Sequence, residues 1–135
     1  MQNFSSNERF DFALCVFSVL IYLTNEDALD RALLALKECL KPNGNVLIDI
    51  PLPGAFRNLT YKSSNLHRNV IIDKRNDVFT YRESIDVLNG SSWINYSDDF
   101  EIRCWQPEIV LKKMEQILEV AFIALVGVLL LRMLF

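Results

Sequence analysis

With 135 residues, 51% hydrophobic and 23% charged, the chain is one domain or part of one, and its composition excludes disorder. A net charge of -3 leaves no basic footprint for nucleic acid or an anionic membrane. The three widely spaced cysteines, Cys15, Cys39 and Cys104, form neither a disulfide framework nor a C-x-x-C metal pair, which points to a reducing cytoplasm.

Residues 1–9 are polar and predict a frayed end. Residues 10–23 are nearly continuously apolar, and within them 12–17 predict a strand whose carboxyl end points at Ser18. Thr24-Asn25-Glu26-Asp27 then reads as a helix N-cap with an acidic first turn. Leu29, Leu33, Leu36 and Leu40 recur at spacings of four, three and four, which gives that helix one apolar stripe. Lys41 favours the helix C-terminus, Pro42 prevents continuation, and Asn43-Gly44 tolerates a left-handed exit. A second apolar strand is predicted over 46–50, ending at Asp49-Ile50-Pro51. Two such strands joined by one amphipathic helix meet the requirement of a parallel sheet buried on both faces. No glycine-rich phosphate loop precedes them, so the pattern is that of the second half of a doubly wound sheet.

Residues 54–68 read as a polar loop with aromatic members. From 69 to 105 the pattern changes to antiparallel β, with turn signals at Arg75-Asn76-Asp77 and Asn89-Gly90. Phe100, Ile102 and Cys104 alternate with Glu101 and Arg103, the period-2 signature of a half-exposed strand. Pro107 opens a helix at its first position, with Glu108 complementing the dipole and Val110, Met114, Ile117 and Ala121 forming its buried stripe. Residues 120–131 carry no charge but are too few to cross a bilayer, and extension to 117 admits Glu119. That segment reads as closing strands or a hydrophobic helix in preference to a tail anchor.

These segments resemble the C-terminal half of a class I S-adenosylmethionine-dependent methyltransferase, of the group acting on small molecules. The likeness rests on Phe10-Asp11 through Cys15, Phe17-Ser18 and Tyr22-Leu23, and on the Leu40-Lys41-Pro42-Asn43-Gly44 turn into residues 46–50. It continues in residues 99–105 followed by the Pro107-Glu108 helix start, and covers roughly residues 9–123. The resemblance implies an α/β fold, a partial doubly wound (Rossmann-like) sheet with an antiparallel β insertion. It divides a single domain 1–135 into a strand–helix–strand unit (10–53), the insertion (69–105), and a helix with closing strands (107–135). The family's first strand, Gly-rich loop and ribose-binding acid would lie before Met1, which makes the chain similar to a truncated or divergent member. Ile21 stands where relatives often carry Asn or Gly, and Ala121 where Gly is usual.

The cofactor so implied is S-adenosylmethionine, and the partner a small-molecule methyl acceptor. Ligands of open α/β sheets sit beyond the carboxyl ends of the strands, here residues 15–18 and 49–53. The resemblance places Cys15, Phe17 and Ser18 at the cofactor, and Tyr22 beside the acceptor. By residue type alone, Cys15 and Phe17 are more often core residues. Asp49 either orients an acceptor or caps its own loop. Arg103 and Trp105 either contact an anionic or planar acceptor or lie on an exposed strand face. His67, the one histidine, reads as a surface residue of the 54–68 loop or as a general base. Asp98-Asp99 is a pair of acids in a turn with no third ligand, so no metal is assigned. Without a neighbour on its outer side, the 12–17 strand exposes an apolar edge, for which a second copy or a complementing chain is the expected partner. The alternative to an enzyme half is a non-catalytic methyltransferase-like protein that dimerises or supports a partner.

Overall fold

The computed structural model describes residues 5–118. In chain order these form strand β1 (Phe10–Cys15), a 3-10 turn (Val19–Tyr22), helix α1 (Glu26–Cys39), strand β2 (Leu40–Ile48), a second 3-10 turn (Pro53–Ala55), strands β3 (Leu59–Lys62), β4 (Leu66–Arg75), β5 (Val78–Asn89) and β6 (Ser92–Arg103), and helix α2 (Pro107–Leu118). β1 and β2 pair in parallel, with Phe12 opposite Asn45 and Cys15 opposite Ile48. The strand–helix–strand expectation therefore holds, and the fold is mixed α/β with one parallel and one antiparallel sheet.

α1 starts where the sequence predicts. The Asn25 side chain accepts from Ala28 N at 2.9 Å, and Glu26 and Asp27 occupy the first turn. Leu29 and Leu33 are fully buried and Leu36 half-buried, each fully buried leucine contributing about 1.5–3 kcal/mol. The helix stops at Cys39, one residue short of the predicted stripe, and Leu40 is already extended. Pro42 is the cause, because it excludes helical geometry for Lys41 before it. Asn43 then takes the left-handed conformation at φ 63°, and a Cβ on Gly44 would lie 3.0 Å from the Lys41 carbonyl oxygen. The chain excess of this loop appears as a register shift between Phe10–Leu40 and Phe12–Asn45.

The second sheet runs β3-β4-β5-β6, antiparallel throughout. Both predicted hairpins close as expected, with Asn76 and Gly90 at positive φ. The loop expected over 54–68 is instead partly strand: Leu59–Lys62 pairs with residues 67–70 of β4. Its Leu-Thr-Tyr run suits a pleated surface, and Ser63 closes the turn by donating its N–H to the Leu66 carbonyl at 2.8 Å. His67 accordingly sits in a strand, its ring stacked on Trp93 at 4.4 Å. Asp98 and Asp99 likewise lie within β6 and not in a turn.

Two cores result. One joins Cys15, Leu20, Leu29, Leu33, Trp105, Val110 and Met114 between β1, α1 and α2. The other gathers Phe56, Phe79, Ile102 and Cys104 under the antiparallel sheet. α2 contributes Val110 and Met114 as predicted, and Lys113 ties it to α1 through Asp30 at 2.7 Å. Ala121 and the expected closing strands lie outside the described residues. No helix among the described residues is long and apolar enough to cross a membrane.

Candidate functional site at the carboxyl ends of the parallel strands

β1 ends at Cys15 and not at the predicted residue 17, because the next residues reverse direction in an unusual way. Phe17 (φ 64°) and Ser18 (φ 60°) are consecutive left-handed residues, neither of them glycine. Each costs about 1–2 kcal/mol in that conformation. Asp49, just past the end of β2, offsets this: its carboxylate accepts from Phe17 N at 2.8 Å and from Ser18 N at 2.7 Å. Hydrogen bonds to an ionised acceptor are about twice as strong as neutral ones. Asp49 N in turn donates to the Cys15 carbonyl at 3.1 Å, so the two strand ends are laced together. Of the two readings of Asp49, the loop-capping one is thus visible in the geometry. The strained turn holds Phe17 outward, 78% exposed, at the carboxyl ends of the paired strands β1 and β2.

Cys15 points the other way, into the first core. Burial first, and the Asp49 carboxylate second, push its thiol from the ordinary 9.0 up to about 11. It is a neutral core thiol at neutral pH. Because the folded state disfavours the thiolate, this group's stabilising contribution is complete below pH 9.0 and is lost as the pH rises toward about 11. Urea unfolding midpoints should therefore fall across that interval, and Cys15→Ala should flatten the fall. An equally steep fall in the variant would assign it to other groups.

The 3-10 turn that follows carries Tyr22 toward the antiparallel sheet. Its ring, 55% exposed, lies 5.6 Å from Phe100, which stacks on Tyr81 at 4.8 Å. Tyr81 and Phe100 are register partners on neighbouring strands, so the three rings form one shelf. Glu83 follows two residues along β5, on the same face, and pairs with Arg68 from β4. Arg68 also reaches the Tyr81 hydroxyl at 3.5 Å. Burial, then the Glu83 carboxylate, holds the Tyr81 phenol above its ordinary value, so it stays protonated. None of Arg68, Tyr81, Glu83 or Phe100 was singled out from the sequence as a site residue. Their signal was present as the two-residue spacing of Tyr81 and Glu83, which puts both on one strand face, but only the strand register brings Arg68 and Phe100 to them.

Arg103 and Trp105 alternate with Ile102 and Cys104 as expected, yet their face is not open. Trp105 is 1% exposed in the first core, and its Nε1 donates to the Leu20 carbonyl at 3.0 Å. The expectation of a Trp105 surface for an acceptor is corrected accordingly: α1, α2 and the 3-10 turn cover it. The Arg103 guanidinium lies over the Trp105 ring at 4.0 Å and donates to the Thr24 carbonyl at 3.4 Å. Its side chain is largely buried at the seam between the two sheets. The structure therefore brings Phe17, Ser18 and Asp49 together at the parallel strand ends, turns Tyr22 to the antiparallel sheet, and buries Cys15 and Trp105 in the first core. Among the described residues no cluster of three His, Cys, Asp or Glu forms a metal site.

No family model and no curated protein matches the chain. Solved structures do match. An S-adenosylmethionine-dependent methyltransferase from Clostridium acetobutylicum superposes with a TM-score of 0.76, covering 87% of this chain and 49% of its own, at 19% identity. The sugar N-methyltransferase KedS8 from Streptoalloteichus gives 0.70, with 85% and 50% covered, at 18% identity. CalS10, an amino pentose methyltransferase from Micromonospora echinaspora solved with S-adenosylmethionine bound, gives 0.68, with 85% and 52% covered, at 15% identity. The chain spans about half the length of each of these structures, and what it shares with them is the fold of an S-adenosylmethionine-dependent methyltransferase over that half.

Proposed function

We propose that this chain is the acceptor-side portion of an S-adenosylmethionine-dependent methyltransferase acting on a small molecule. The observation that carries the reading is the Asp49-clamped left-handed turn at the parallel strand ends. Strained non-glycine backbone of this kind persists where surrounding structure over-determines it, and it clusters at ligand sites. Bound S-adenosylmethionine supplies an electrophilic methyl carbon. Phe17 offers an exposed apolar ring to such a cofactor, and the Ser18 hydroxyl offers a hydrogen bond beside it. Asp49 acts as a positioning residue, fixing both through their amides. Cys15 fills the space behind the turn.

The acceptor side is Tyr22 with the shelf of Phe100 and Tyr81, flanked by the Arg68–Glu83 pair. Methyl transfer depends on holding the acceptor atom in line with the methyl group, so a rigid shelf beside the turn supplies orientation. Arg103, stacked on Trp105, holds the seam between turn and sheet. The solved neighbours named for sugar and amino pentose substrates favour a polar, sugar-like acceptor. Reduced cysteines, none in a disulfide, fit a cytoplasmic setting. The outer edge of β1, with Phe12 and Leu14 exposed, is where a second copy or a complementing chain would complete the sheet.

Calorimetry with S-adenosylmethionine tests this. Titration into the full chain should give binding heat that Asp49→Asn reduces at least about tenfold in affinity, the loss of one charged hydrogen bond. Absence of binding at millimolar cofactor, or binding indifferent to Asp49→Asn, would favour the non-catalytic, methyltransferase-like interaction protein.

A further inference from the structure

The end of β6 and the residues just past it converge on one short segment, the 3-10 turn that carries Tyr22. Phe100 lies beside the Tyr22 ring at 5.6 Å. Trp105 Nε1 donates to the Leu20 carbonyl at 3.0 Å, and within the turn that carbonyl also accepts from Leu23 N at 3.0 Å. Arg103 donates to the Thr24 carbonyl at 3.4 Å. Leu20 and Thr24 bracket Tyr22, two residues away on each side. Arg103 and Trp105 are themselves two residues apart, about 6.6 Å along extended chain, which suits them to grip both ends of so short a turn.

Packing alone does not seat Tyr22. Leu20 is fully buried in the first core and Ile21 packs against the second, which fixes the depth of the turn. Tyr22 itself is exposed, and its direction follows from how the chain leaves the turn, through extended Leu23 (φ -90°, ψ 93°). Between Leu23 and the Asn25 cap of α1, the tie on that exit is Arg103.

For stability alone, a cation is a poor choice at this place. The guanidinium is largely buried over the Trp105 ring, and its Nε is buried without a hydrogen-bond partner. Buried unpaired donors are rare because each forfeits its hydration. The Asp77 carboxylate is 4.0 Å away and more than half exposed, so its attraction offsets little of that loss. An apolar side chain would fill the seam at lower cost, but it could not reach the Thr24 carbonyl.

We propose that Arg103 is a positioning residue of the acceptor side: by holding the exit of the 3-10 turn, it keeps the Tyr22 ring seated against Phe100. That an acceptor lies on this shelf rests on the proposed methyltransferase function; the clamp itself does not. A ring held in this way presents one fixed face to an acceptor, and methyl transfer loses rate steeply when the reacting atoms are misplaced by about 1 Å.

Comparison of Arg103→Met with the wild-type full chain tests the assignment. Methionine keeps an apolar chain against the Trp105 ring, removes the donors, and leaves Asp77 solvated. Its urea midpoint should therefore equal or exceed that of the wild type. The turn should loosen all the same. Nuclear Overhauser contacts between the Tyr22 and Phe100 rings, present in the wild type, should vanish, and the Leu23 amide should exchange with solvent roughly tenfold faster. Ring contacts and slow Leu23 exchange that persist in Arg103→Met would overturn the proposal. So would a urea midpoint that falls along with them, the mark of a residue that merely supports the fold. These readouts need no ligand, so a failure to bind S-adenosylmethionine would strike the methyltransferase function and not the clamp.

Discussion

Trp105→Ala should cost the folded chain about 3–5 kcal/mol, the range for deleting a large buried aromatic. Trp105 is the largest fully buried side chain and sits where the 3-10 turn, α1 and α2 meet. Three separate losses combine there. The cavity removes contacts for Leu29, Leu33 and Val110; the Leu20 carbonyl loses its indole donor; and the Arg103 guanidinium loses the ring beneath it. Total stabilities of domains are about 5–15 kcal/mol, so this variant should lie near its unfolding threshold at 37 °C. Trp105→Phe separates the contributions. It keeps most of the apolar volume, loses the Nε1 donor, and should cost about 1–3 kcal/mol. Urea midpoints of the three proteins check the ordering. A loss below about 1 kcal/mol for Trp105→Ala would mean that Trp105 does not hold the 3-10 turn, α1 and α2 together.

Asp49→Ala should destabilise by about 2–4 kcal/mol, from two charge-assisted hydrogen bonds at about 1.5–3 kcal/mol each, discounted because Phe17 is exposed. Without the carboxylate, nothing offsets the left-handed φ at Phe17 and Ser18, and the turn should relax to an ordinary extended or helical path. Substituting glycine at Ser18 in the Asp49→Ala background should then recover about 1 kcal/mol, because glycine occupies that region without the Cβ penalty. Recovery distinguishes backbone strain from simple loss of charge. If Ser18→Gly gives the same change whether or not Asp49 is present, the clamp does not hold the turn.

The parallel unit was legible because its signals are local. The Asn25 cap, the leucine spacing and the Pro42 stop each act within a few residues, and together they leave one topology for two apolar strands. The antiparallel sheet was legible at its turns, where Asn76 and Gly90 adopt the positive φ their residue types permit. β3 was missed because four residues with one polar and one charged member carry too little periodicity against a polar background. The site divided along the same line. Phe17, Ser18 and Asp49 lie at strand ends, which a chain-order reading can find, whereas Tyr22 entered only through the family resemblance. That Asp49 reaches back across more than thirty residues to the Phe17 and Ser18 amides is a tertiary fact with no local signature. Trp105 was misplaced because alternation distinguishes two faces but does not say which of them meets water. The partner of the second face, α2 with α1, is fixed only by packing.

The central claim is that the Asp49-clamped turn forms the cofactor-facing wall of this chain. Amide chemical-shift mapping with S-adenosylhomocysteine at millimolar concentration tests it most directly. The account predicts the largest perturbations at Phe17, Ser18 and Asp49, with smaller ones at Tyr22, and their disappearance in Asp49→Ala. Perturbations centred on the β5–β6 hairpin, or none at those four amides, would contradict it.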